Sequence, residues 1–330
     1  MQRDVLRRPR PLAALLEALA DVDRLVLLGD VVELLEGRPR TALGLAAEPL
    51  AAIGGVMGAG REIVLVPGNH DRQLIAPWLR RRAHLAPSER VPASASLALK
   101  TVVRSLRPAR VSVRYPGFHV ASGVFAHHGH YVDHELLPSR STGLRLPGSG
   151  PSAERVAPED YERVASRGTA TLDLLLRSIP RPVSDAWDAA AGMARTAGLA
   201  VAPRLDAVLP SPVLAPLTAG ALGYQFRRSG LPAMAAVARR LRLRCDTLIF
   251  GHLHRAGPLP GDDPGEWRPD PAGPALMNTG SWVYEPLLLA GASAPHAYWP
   301  GGAVLVDDAG AKPVAAHLGL LDRMDARDLV

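Results

Sequence analysis

A single cysteine, Cys245, occurs in 330 residues. That excludes an internal disulfide and any cysteine-based metal cluster, and it points to a reducing compartment. Lysine is almost missing too: Lys100 and Lys312 are the two present, so arginine carries nearly all the positive charge behind the net +6. The excess of Arg, Ala and Pro reads chiefly as compositional bias of the kind a GC-rich genome produces, and it still leaves a surface able to attract phosphate or anionic lipid. Aromatic residues make up 5%, few for the stacking platforms of single-strand nucleic-acid binders. No unbroken apolar run reaches membrane-spanning length. The most apolar stretch, residues 197–224, is interrupted by Pro203, Pro210, Pro212 and Pro216 and carries Arg204 and Asp206. At the start, Met1-Gln2-Arg3-Asp4 leads into Arg7-Arg8-Pro9-Arg10 without the apolar segment of a signal peptide. A soluble, cytoplasmic protein is expected, with peripheral membrane contact left open.

What is present is ample core material, 47% apolar, punctuated by 31 Gly and 31 Pro. Four short stretches stand out in order: Gly29-Asp30, Gly68-Asn69-His70-Asp71, His128-Gly129-His130 and Gly251-His252-Leu253-His254. Each comes after a run of strand-forming residues, such as Leu25-Val26-Leu27-Leu28 and Thr247-Leu248-Ile249-Phe250. Side chains able to ligate metal therefore sit just past the ends of apolar strands, where α/β sheets gather their sites. One carboxylate, one amide and several imidazoles form a mixed O/N donor set suited to Mn, Fe or Zn and unsuited to Ca.

On these four blocks the chain resembles the calcineurin-like metallophosphoesterase superfamily, whose pattern runs Asp-x-His, Gly-Asp, Gly-Asn-His-(Asp/Glu), a lone His, then Gly-His-x-His. The resemblance implies an α/β sandwich of two mixed β-sheets flanked by helices, and two divalent metal ions. Asp30 matches the carboxylate that bridges both ions. Asn69, His128 and His252 match the other ligands of one ion, so that pocket is complete, and His254 matches a ligand of the second. His70 matches the histidine that faces substrate, with Asp71 beside it to orient the ring. The implied activity is hydrolysis of a phosphoester or pyrophosphate by metal-activated water. Arg72 and His130 are candidate substrate contacts. Glu33 is expected on a helix near the site, His127 on the opposite strand face, and Asn278-Thr279-Gly280-Ser281-Trp282 beneath the site as support.

The Asp-x-His block is missing, which leaves the second ion with Asp30 and His254. Either the reading frame starts internally in a longer protein, or the N-terminal strand is lost and the chain is a one-metal or inactive homologue acting as a scaffold. Retention of every other motif favours the first.

The metallophosphoesterase unit is expected over residues 1–130 and 245–330. Helices are expected near residues 11–22, 46–57 and 72–82, and paired strands over 110–115 and 118–126 around Pro116-Gly117, the second broken or turned at Ser122-Gly123. Residues 131–244 read as a helical insertion able to line or cover the site, with helical periodicity at 158–178, 184–197 and 231–242. Its Leu, Ala and Val content suits a lipid-linked or nucleotide substrate, as in the UDP-2,3-diacylglucosamine hydrolase branch, although that branch carries Arg where this chain has His70. A phosphorylated small molecule, nucleotide or lipid-linked compound is the expected partner, ahead of nucleic acid.

Overall fold

The computed structural model describes residues 4–35, 38–136, 156–165, 226–289 and 291–330. Eight strands form one mixed, curled sheet in the order β1-β2-β4-β5-β6-β8-β7, with β3 pairing to β4. They are β1 (Arg24–Leu28), β2 (Glu62–Val66), β3 (Ser88–Arg90), β4 (Arg110–Ala121), β5 (Val124–His127), β6 (Thr247–Phe250), β7 (Ala256–Gly257) and β8 (Ala275–Thr279). A separate antiparallel pair is made by β9 (Gly302–Asp307) and β10 (Val314–Gly319). The protein is thus α/β, with a large curled sheet, a small second sheet and flanking helices.

Two sheets are present, as expected, but they are unequal: the second is a two-stranded antiparallel pair, and the large mixed sheet is made continuous by β4. Its first half runs parallel to β2, from Glu62↔Arg110 to Leu65↔Val113, and its second half runs antiparallel to β5, beginning at Gly117↔His127. The chain does not turn at Pro116-Gly117 as expected. Pro116 stays in the strand opposite Ser88 of the short β3, and the reversal falls at Ser122-Gly123, the break expected in the second run, where Gly123 has φ 71°. That left-handed conformation is open to glycine at no steric penalty.

Strand β2 shows why the centre is apolar on both faces. Ile63 and Leu65 point outward into a cluster with Leu15, Leu50, Ile53, Leu99 and Val102, drawn from α1 (Pro9–Ala18), α2 (Pro39–Met57) and α4 (Leu97–Ser105). Val64 and Val66 point into the curl against Phe118, Val124, Ala126, Ile249 and Met277. Period-two alternation with both sides covered is the pattern of a central strand. Each such side chain contributes roughly 1.5–3 kcal/mol on burial.

The other half of the sheet is covered by α7 (Leu231–Arg240), whose Leu231, Met234 and Val237 pack with Phe125, Leu248, Phe250 and Leu276. This helix falls within the 131–244 segment expected as an insertion, and it packs directly on the sheet. Between them, α5 (Val132–Leu136) and α6 (Pro158–Ala165) are short. The helix expected at 72–82 is instead a 3-10 turn at Arg72–Leu74 and the four-residue α3 (Ala76–Leu79). Pro77 suits the first turn of a helix and not its interior. The helix expected at 184–197, and the continuation of α6 to residue 178, lie outside the described residues. No helix among the described residues is long and apolar enough to cross a membrane.

The curl brings the ends of β1 and β2 against those of β5 and β6. A Cβ added to Gly29 would stand 2.0 Å from His128 Nδ1, and one on Gly68 would stand 2.3 Å from Asp30 Oδ1. A Cβ on Gly129 would stand 3.1 Å from the Gly251 carbonyl oxygen, so the four sequence blocks meet at one place.

Candidate metal centre

Asp30, two residues past β1, is in a left-handed conformation, φ 53°, just after Gly29 at φ 87°. Among the described residues, four that are not glycine have positive φ, and three of them are Asp30, His252 (66°) and His254 (58°). Such conformations cost roughly 1–3 kcal/mol each and persist where the surroundings over-determine them. Here the over-determination is visible. Asp30 Oδ1 accepts from the His70 amide at 2.9 Å, and Oδ2 lies 3.1 Å from His128 Nε2. The two histidine loops are joined by the Gly251 amide donating to the His128 carbonyl at 2.8 Å. Beneath them the fully buried Asn278 donates Nδ2–H to the Gly251 carbonyl at 2.9 Å and accepts from the Gly280 amide.

Ligand atoms of Asp30, His128 and His252 all lie within 4.8 Å of one another. Asn69, also buried, adds its Oδ1 at 3.2 Å from His128 Nε2. The outward nitrogen of His128 is taken: Nδ1–H donates to the Leu28 carbonyl at 2.9 Å. That bond fixes the tautomer and turns the Nε2 lone pair toward Asp30 and Asn69. Three acceptors thus converge on one point with at most one proton to share. Burial lowers the pKa of His128, but the adjoining Asp30 charge and hydrogen bond outweigh it, so the net shift is upward. Burial likewise pushes the Asp30 carboxyl up, and the neighbouring His128, with His70 and His252, reverses this to a net lowering. A positive charge belongs at this point. The donor set and the glycine clearances suit a divalent cation held by Asp30, Asn69, His128 and His252.

His254 is half-buried and lies outside the 4.8 Å group. Burial and the nearby His252 drop its pKa to about 4, so its imidazole is neutral and able to ligate at ordinary pH. Among the described residues no second group of three or more such donors gathers.

His70 lies at the rim, its side chain 35% exposed. Its Nδ1 faces Glu33 Oε2 at 2.5 Å. That hydrogen bond, opposed by burial and helped by the charges of Asp30 and Asp71, lifts the His70 pKa to about 9. The partner expected for this ring was Asp71, and the structure corrects it. Asp71 is fully buried and uses both carboxylate oxygens on backbone, accepting from Gly68 at 2.6 Å and Val31 at 2.9 Å. It fastens the Gly-Asn-His-Asp turn to the loop after β1. Burial and the Asp30 charge raise its pKa to about 6. Glu33 is not helical either; it lies in the irregular loop after Asp30. Its place three residues past Asp30 was the available signal.

The two expected substrate contacts are engaged elsewhere. His130 has no exposed side-chain surface. Its ring packs among His127, His128, Tyr131 and Tyr115, and its Nε2 lies 3.3 Å from the Tyr115 hydroxyl. Burial depresses its pKa, so it is a neutral packing residue behind the metal ligands. Arg72 donates Nε–H to Glu162 Oε2 at 2.9 Å. Glu162, in α6, also accepts from the hydroxyls of Tyr115 and, at 2.8 Å, Tyr131. Burial opposes its ionisation, yet His130, Arg72 and Tyr115 bring its pKa down to about 2. Since His130 is itself kept neutral, Arg72 and the two phenols carry that stabilisation near neutral pH.

Asp133 and Glu162 had no sequence signal. They reach the site from 119 residues before His252 and 90 residues after Arg72. No protein-family model matches the chain, and no curated protein matches it.

Proposed function

We propose that the chain is a metal-dependent phosphoesterase of the calcineurin-like type, hydrolysing a phosphoester or pyrophosphate bond. The observation that carries this reading is the convergence of Asp30 Oδ2, Asn69 Oδ1 and the oriented Nε2 of His128 on one point. A divalent cation held there would act as a Lewis acid and lower the pKa of a coordinated water to about 7. The chain's own residues do the rest. Glu33 keeps His70 protonated at its rim position. A cationic imidazole there offers an N–H to a phosphoryl oxygen, or a proton to the leaving oxygen. Asp71, tied to Gly68 and Val31, holds the turn that sets the His70 backbone. Burial keeps His254 unprotonated, so it can ligate rather than repel a cation.

Anionic phosphate is the group that a rim imidazolium beside a metal pocket attracts. The low aromatic content favours a phosphorylated small molecule, nucleotide or lipid-linked substrate over single-stranded nucleic acid. The test is hydrolysis of p-nitrophenyl phosphate and bis-p-nitrophenyl phosphate with added Mn²⁺. Turnover that requires the ion and disappears in Asp30→Asn supports the reading. Metal-independent turnover, or full activity of Asp30→Asn, refutes it. One observation favours a one-metal or non-catalytic alternative: His254 stands outside the three-residue group. That alternative predicts saturation at one Mn²⁺ per chain, with no turnover on either ester.

A further inference from the structure

The two histidines of the metal-binding group each have one ring nitrogen held, by chemically different partners. His128 donates Nδ1–H to a neutral backbone carbonyl, that of Leu28. His252 instead meets a carboxylate, with Nε2 at 3.0 Å from Asp133 Oδ1. Both side chains of this second pair are nearly closed to water, 4% and 10% exposed. Asp133 is not within the group of ligand atoms and has no part in the hydrolysis described above. It sits in α5, its own amide donating to the His130 carbonyl at 3.2 Å, so its backbone is fixed to the segment that carries His128.

With Nε2 held by Asp133, metal ligation by His252 falls to Nδ1. A carboxylate on the far nitrogen of an imidazole draws on the N–H proton, fixes the tautomer and makes the near nitrogen a stronger donor. A backbone carbonyl does this more weakly because it has no net charge. The ring of His252 also springs from a left-handed backbone position, so its direction needs a second anchor.

We propose that Asp133 is a positioning residue for the cation site, setting the orientation, tautomer and donor strength of His252 and thereby the affinity for metal and its ligand field. This rests on the reading that Asp30, Asn69, His128 and His252 hold a divalent cation. It also makes α5, at the head of the 131–244 segment, part of the metal centre's support.

The test uses the full chain, stripped with a chelator and titrated with Co²⁺, followed by calorimetry and by the visible absorption of the bound ion. Asp133→Ala should weaken Co²⁺ binding about 10- to 100-fold, the usual effect of removing such a partner. Asp133→Asn should weaken it less, because an amide oxygen still accepts the Nε2–H. Both should displace the Co²⁺ absorption bands, and Asp30→Asn should abolish binding. If both Asp133 variants match the wild type in affinity and bands while Asp30→Asn does not bind, the proposal is overturned and the cation site stands. A wild-type chain that binds no Co²⁺ overturns both. Weaker binding with unchanged bands also overturns the proposal, since mere loosening of the fold lowers affinity without altering the ring as a donor. Should Asp133→Ala lose its far-ultraviolet circular dichroism, the isosteric Asn variant alone decides.

Discussion

Replacing Glu33 with Gln removes the charge facing His70 while keeping an oxygen within reach of its ring. In the native chain the Glu33 hydrogen bond is the foremost cause lifting the His70 pKa to about 9. The side chain is 35% exposed, so water screens the pair and the effect is best read as a shift in titration. A raised pKa favours the cation, so the function and stability it supports are present below the ordinary value of 6.5 and are lost as pH rises through about 9. At pH 8 a group with pKa 9 is about 90% protonated, whereas one near 6.5–7 is about 3–10% protonated. Turnover that needs the cation should therefore fall roughly tenfold at pH 8 in Glu33→Gln and change little at pH 6. A bound metal would lower both titrations by charge repulsion but keep their order. The assays are an NMR titration of the His70 ring in the metal-free chain and a pH–rate profile with Mn²⁺. An alkaline limb at the same pH in both proteins would refute the reasoning.

Three further outcomes are expected from the geometry. Glu162→Ala strips a buried carboxylate from Arg72 and two phenols, and should cost on the order of 3–5 kcal/mol in urea unfolding. With a folded pKa of about 2, that stabilisation is present above the unfolded value near 4.5 and is lost as pH falls toward 2, so the gap between variant and wild type should close in acid. Asp71→Asn exchanges one acceptor for a donor between the Gly68 and Val31 amides; about 1–3 kcal/mol of stability should be lost, with turnover reduced and the alkaline limb moved down less than in Glu33→Gln, since the Asp71 charge is a lesser cause of the His70 shift. Gly29→Ala drives a Cβ onto His128 Nδ1 at a positive φ, so Co²⁺ binding should collapse even where the variant still melts cooperatively.

Much of the site could be read from the chain because its ligands lie directly after strands whose residues declare themselves. Leu25-Val26-Leu27-Leu28 and Ile63-Val64-Leu65-Val66 are apolar on both faces, and a loop leaving such a strand must emerge at a sheet edge. The choice of His128 over His127 rests on the resemblance, which places the ligand directly before Gly129; His127 ends β5 with its ring stacked on His130 and tilted against Tyr131. The part that could not be read depends on tertiary partners. Asp71 is next to His70 in sequence, which suggested a pair. The turn sends its carboxylate into two backbone amides, and Glu33, from another loop, takes the ring. Arg72 looks like a free phosphate binder until α6 supplies Glu162. Asp133 is one carboxylate among many until the fold sets it against His252. Pro116 argued for a turn, yet opposite the three-residue β3 it sits within β4.

The central claim is that residues from four separate loops share one cation. Crystals soaked in Mn²⁺ and measured at the manganese absorption edge test it directly. An anomalous peak in contact with Asp30, Asn69, His128 and His252, absent in Asp30→Asn, is the predicted result. A peak elsewhere with these four side chains unliganded would contradict it.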